Sequence, residues 1–187
     1  MWYNLRSRAT HNRPATTKGA TTKDERRDMR TYHAIDVARR FLELASTDAA
    51  AIQDISNMKL QKLCFFAQLV SLCQNINVPL IAENFYAWDY GPVEPRLYQR
   101  IRGLGNPYFS IRKERVAAAV ADAEAIEDED AKTIIQSVWD KFKTWTAVDL
   151  SELTHRRNSP WTVVYTAKRY GLIPNAVIAS HLFGDPV

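Results

Sequence analysis

The sequence predicts a mainly α, single-domain helical bundle of about six to eight helices, with one short β-hairpin or extended segment near 84–93. Three observations lead there. Apolar residues recur at helical spacing in most of the chain after residue 30. Proline, serine, threonine and aspartate stand where helices should begin. One stretch breaks the pattern: Phe85-Tyr86-Ala87-Trp88-Asp89-Tyr90-Gly91-Pro92-Val93-Glu94-Pro95, which packs four aromatics, one glycine and two prolines into eleven residues. Pro92 restricts Gly91 and Pro95 restricts Glu94. The stretch reads as a rigid aromatic turn that either locks two elements together or presents its rings to a partner.

The 187 residues suit one domain with a tail, and a 46% hydrophobic and 25% charged composition is that of an ordinary globular protein. No apolar run reaches the roughly 20 residues that span a bilayer, and the first residues lack the apolar segment of a secretory signal. A cytoplasmic protein with no membrane partner is expected. Residues 1–30 hold eight basic and three acidic residues, leaving seventeen basic and eighteen acidic in the rest. The net charge of +4 therefore belongs to the tail. Residues 1–30 are expected to be a basic, disordered segment, and 31–187 the helical domain. The tail reads either as a solubilising leader or as a nucleic-acid contact.

The elements follow in order. Helical patterning starts near Thr31, with Ile35, Ala38, Leu42 and Ala45 on one stripe, and breaks at Ser46-Thr47-Asp48. Ser56 or Asn57 caps a second helix running to Cys73. Apolar residues occupy most of its faces from Leu63 to Cys73, which makes it central and nearly enclosed. Gln61 and Gln68, seven apart, share a face and need hydrogen-bond partners there; the aromatic turn is a candidate. Lys59 and Lys62 read as a solvated face or the mark of an acidic partner. A short strand or hairpin follows at Phe85–Asp89. Glu94 and Pro95 then open a helix that ends near Gly103 or Gly105. Asn106-Pro107-Tyr108 is a turn, and Phe109–Ile111 a short extended piece. Val116 to Ile126 and Asp128 to Trp145 read as two helices. Thr146 caps a short one through Leu153, Pro160 opens another that Gly171 closes, and Pro174 opens the last, with Val177, Ile178, Leu182 and Phe183.

The chain has no phosphate-cradling glycine loop, nucleophile elbow, HExxH or CxxC. No cofactor or metal is expected, and no enzymatic activity. Cys64 and Cys73 stand about 13 Å apart on one helix, too far for a disulfide, and read as small buried residues. His155 lies near a helix C-terminus ahead of Pro160-Trp161. It reads as a cap for carbonyls or a partner for a buried acid, since a catalytic base there lacks an evident nucleophile. Trp88, Tyr90, Trp145 and Trp161 divide between core and partner contact.

Four motifs in order carry a resemblance. They are Ile35-Asp36-Val37-Ala38 with Phe41-Leu42; Met58-Lys59-Leu60-Gln61-Lys62-Leu63 with Phe66-Ala67-Gln68; Ala87-Trp88-Asp89-Tyr90-Gly91-Pro92-Val93 with Pro95 and Tyr98; and Leu150-Ser151-Glu152-Leu153-Thr154-His155 with Pro160-Trp161, followed by Ile178 and Phe183. Over about residues 32–183 the chain resembles the Panacea-domain family, which includes the SocA-like antitoxins and the GepA proteins of phages and mobile elements. Cys64-Phe65 stands where the family more often has a Leu-Tyr-like pair. The resemblance implies a helical antitoxin that neutralises a cognate protein toxin by direct binding, and for a SocA-like member also delivery of that toxin to a cytosolic protease. It marks Lys59, Gln61, Gln68, Trp88, Tyr90, Gly91, Pro92, His155 and Trp161 as signature or partner-binding residues. The alternative function is a nucleic-acid-binding regulator that uses the basic tail.

Overall fold

A computed structural model describes residues 30–48, 55–74, 78–103 and 113–180. The expected tail, the Asn106–Tyr108 turn, the extended piece Phe109–Ile111, and Leu182 with Phe183 lie outside these, apart from Arg30, which pairs with Glu124. Among the described residues are eight helices and one three-stranded antiparallel sheet: a mainly α, single-domain fold, as the sequence predicts. No described helix is long and apolar enough to cross a membrane.

The central element is α2 (Asn57–Gln74), the longest helix. Ser56 caps it by accepting the Lys59 N–H. Its residues from Lys59 to Leu72 are all buried, as expected of a helix apolar on nearly every face. Around it pack α1 (Ala34–Thr47) through Val37, Ala38, Phe41 and Leu42, and α5 (Glu129–Phe142) through Ile134, Ile135, Val138 and Trp139. The Phe66 and Phe142 rings meet at 4.8 Å. Cys64 is buried and Cys73 half-buried; neither is in a disulfide, and burial holds the Cys64 thiol well above its usual range.

The helix α1 starts three residues later than its sequence pattern suggests. Tyr32 instead bridges to Leu80 and Ala82 through its backbone, and His33 and Asp36 form the capping box. The helix α4 (Lys113–Ala119) stops well short of Ile126. Its continuation is drawn away by tertiary partners: the Asp36 carboxylate accepts the Glu124 N–H, and Arg100 and Arg39 bond the carbonyls of Ala119 and Ala123.

The sheet has the order β2-β1-β3. Strands β1 (Phe85–Trp88) and β2 (Gly91–Val93) form the expected hairpin, with Trp88 opposite Gly91. Glu94 caps α3 (Pro95–Ile101), whose first residue is the proline. Thr146 caps α6 (Ala147–Thr154) with a full capping box, and Ser159 caps α7 (Pro160–Ala167). Gly171 does not close α7, contrary to expectation. The chain leaves the helix at Lys168, turns at Tyr170 (φ 58°), and enters β3 (Leu172–Ile173), pairing with β1 on the way. A short α8 (Asn175–Ser180) follows.

Candidate functional site

The site is built on the β1–β2 hairpin and the face of α2 beneath it. The turn closes at Gly91, whose φ of 101° suits glycine and few other residues. A methyl group there would sit 2.6 Å from Thr154 Oγ1 and 2.8 Å from Lys62 Nζ.

The backbone of this hairpin is bonded at almost every step. The Trp161 indole N–H donates to Trp88 O at 2.8 Å. His155 Nε2 lies 3.3 Å from Asp89 O. Ser151 Oγ donates to Tyr90 O, and Lys62 Nζ to Pro92 O at 3.1 Å. The Gln61 carboxamide takes both backbone groups of Glu94: Oε1 accepts its N–H at 2.8 Å and Nε2 donates to its carbonyl at 3.3 Å. Gln68 does the same for Ile81, and its Nε2 also donates to Asn175. The two glutamines thus fix the loop before the hairpin and the residue after it.

His155 sits at the C-terminus of α6, with Nδ1 2.6 Å from Ser151 O. Its ring lies 3.8 Å from that of Trp161. Each ring nitrogen faces a carbonyl, and a neutral imidazole, with one N–H, donates to one of the two, the capping use that its position suggested.

The Asp89 carboxylate accepts from Tyr165, Tyr170 and Arg169, at 2.7, 2.7 and 2.5 Å. The Arg169 guanidinium and then the two phenols hold it down to about 2. The same bond raises both phenols above their usual range.

Lys59 and Lys62 overturn the expectation of a solvated face. They are 0% and 1% exposed. Lys59 Nζ donates to Lys143 O at the end of α5, and Lys62 Nζ to the hairpin. Burial alone lowers the Lys62 amine to about 7. The sequence placed these lysines outside because charged residues are seldom fully buried. Their carbonyl partners lie 84 and 30 residues away, beyond any local pattern.

The outer side of the hairpin is different. Trp88 and Tyr98 are half-buried with rings 4.9 Å apart. Tyr170 packs edge-on to Trp88 and is 52% exposed, and Tyr90 is 58% exposed. Between this aromatic surface and the start of α2 lies a pocket of about 340 Å³. Met58, Val93, Trp88 and the tyrosines supply its apolar walls, and Asn57, Gln61, Lys62 and Asp89 its polar lining. The sequence did not single out Tyr170, nor Asn57 except as a cap. Trp161, in contrast, is buried, and Trp145 packs against Phe142 away from this pocket.

A central helix that braces an aromatic hairpin through buried amides and amines defines a class of small helical domain. The family within that class follows from comparison. The model of the family "Antitoxin SocA-like, Panacea domain" matches residues 60–162. The chain is 30% identical over 131 residues to Antitoxin SocA of Caulobacter vibrioides (strain NA1000 / CB15N), covering 68% of this chain and 69% of that protein. The chain belongs to the SocA-like, Panacea-domain antitoxin family. No solved structure matches it.

Proposed function

We propose that the chain is an antitoxin that neutralises a cognate protein toxin by direct contact through the outer face of the hairpin, without catalysing a reaction. The observation that carries this reading is an aromatic group, exposed Tyr90 and Tyr170 with half-buried Trp88 and Tyr98, on a backbone fixed from below. Large aromatics held rigid lose little entropy on binding and are the residues enriched in binding hot spots. Family membership supports the same reading, because the relative is named as an antitoxin.

Co-expression with the product of the adjacent gene tests it. The expected result is that the neighbour alone arrests growth, that this chain restores it, and that the two co-purify. A harmless neighbour and no complex would end the proposal. Direct occlusion predicts that the toxin stays intact in the complex. Delivery to a cytosolic protease predicts that the toxin disappears and that removing the protease restores its level.

A further inference from the structure

Three carboxamides line one face of α2. Asn57, Gln61 and Gln68 lie at i, i+4 and i+11, within about 40° of one another around the helix axis. Gln61 holds both the N–H and the C=O of Glu94, a residue in extended conformation (φ −93°, ψ 116°). Gln68 holds both groups of Ile81. Asn57 is only 3% exposed, yet among the described residues neither its Oδ1 nor its Nδ2 has a hydrogen-bond partner. Such a group costs stability unless something satisfies it. It lines the pocket beneath Trp88, Tyr90 and Tyr98.

We propose that Asn57 receives the peptide unit of an extended segment of the partner protein, bonding its N–H and C=O as Gln61 bonds Glu94, while that residue's apolar side chain enters the pocket between Met58, Val93, Trp88 and Tyr98. The inference rests on the antitoxin reading for the source of the segment. The chemistry of the occupant follows from the lining. A carboxylate would satisfy Nδ2 and face Oδ1 with a second acceptor. A cation would satisfy Oδ1 alone and would meet the Lys62 amine in the same pocket, while the Asp89 carboxylate that also lines it already accepts from Tyr165, Tyr170 and Arg169. A neutral group with adjacent donor and acceptor satisfies both. A pocket of about 340 Å³ lies at the small end of ligand sites and suits a single large side chain.

The test uses the full chain and two ligands. The first is the blocked residue N-acetyl-phenylalanine-N-methylamide, compared with its analogue methylated on the phenylalanine nitrogen. Amide and indole resonances of the protein report binding. The blocked residue is expected to shift the Asn57 side-chain amide and the Trp88 indole saturably. The N-methyl analogue should bind about tenfold more weakly, having lost one hydrogen bond. Asn57→Leu and Asn57→Ser should both abolish the Asn57-dependent affinity. Asn57→Leu should also melt no lower than wild type, because it removes an unsatisfied buried amide. The second ligand is the co-expressed toxin, whose affinity should fall about tenfold in Asn57→Leu.

Equal binding of the two blocked residues overturns the inference, and so does undiminished toxin binding by both variants, while either result leaves the antitoxin reading standing. Adenosine, which offers a similar donor–acceptor edge, must bind more weakly than the blocked residue; stronger binding also overturns it. If the neighbouring protein fails to bind the wild-type chain, the antitoxin reading falls, and the blocked-residue titration still decides what the pocket takes.

Discussion

Replacing Gly91 by alanine tests how much of the fold depends on the hairpin turn. The backbone there has φ 101°, which costs an L-residue about 1–3 kcal/mol. The added methyl would also lie 2.6 Å from Thr154 Oγ1, 2.7 Å from Lys62 Cε and 2.8 Å from Lys62 Nζ. Both neighbours are buried, and Lys62 cannot retreat without releasing Pro92 O. An orphaned buried donor and acceptor cost about 1–3 kcal/mol more. The sum is about 4 kcal/mol, a large part of the roughly 5–15 kcal/mol of a typical domain. Urea unfolding followed by tryptophan fluorescence is the assay. With a slope of about 2 kcal/mol per molar urea, the midpoint should fall by about 2 M. Gly103→Ala is the control, since none of the described residues lies within 4 Å of a methyl group there; it should stay within about 0.5 kcal/mol of wild type. A Gly91→Ala protein that unfolds within about 1 kcal/mol of wild type would refute the reasoning, because neither the strain nor the contact with Lys62 could then be real.

Lys62→Met should change the pH dependence of stability. Burial holds the folded amine at about 7, and the unfolded one keeps the ordinary lysine value of 10.5, so between these the unfolded state binds the extra proton and stability rises with pH. The slope approaches about 1.4 kcal/mol per pH unit, and denaturant unfolding from pH 7 to 10 should find it in the wild type and missing in the variant. Trp88→Ala should cost about 1.5–3 kcal/mol, below the 3–5 kcal/mol of a fully buried ring, because this ring is half-exposed; circular dichroism should show a folded protein that no longer binds toxin. Asp89→Asn should let the Tyr165 and Tyr170 phenols titrate at lower pH, since the carboxylate is the chief cause that raises them; absorbance at 295 nm against pH reads this directly.

The parts of the fold legible in the sequence are those decided by neighbours in the chain. Ser56, Glu94-Pro95, Thr146 and Pro160 start helices because a helix start needs only the next three residues. The enclosed central helix follows from its own composition. Gln61 and Gln68 were placed correctly as buried groups in search of a loop, because an amide on an apolar face has few other uses. What stayed hidden depends on groups distant in sequence. Lys59 and Lys62 look like surface residues until the carbonyls of Lys143 and Pro92 arrive. The end of α4 is set by Asp36, Arg39 and Arg100 rather than by its alanines. A strand as short as Leu172–Ile173 has no period to read, and it brings Tyr170 to Trp88.

The turn at 88–92 resolves the choice between locking and displaying by dividing the two roles between backbone and side chain. Nearly every bond that fixes it ends on a main-chain group: Trp88 O, Asp89 O, Tyr90 O, Pro92 O, and both groups of Glu94. Asp89 adds its side chain, which draws Tyr165, Tyr170 and Arg169 against the hairpin. A main-chain lock does not depend on which side chain points outward from positions 88 and 90. The frame can therefore stay fixed while the rings above it are exchanged, and a preorganised surface spends little of its binding energy on ordering itself. Mutations beneath the turn, at Gly91 or Lys62, should then change stability first and binding as a consequence. Mutations above it, at Trp88 or Tyr90, should change binding out of proportion to stability.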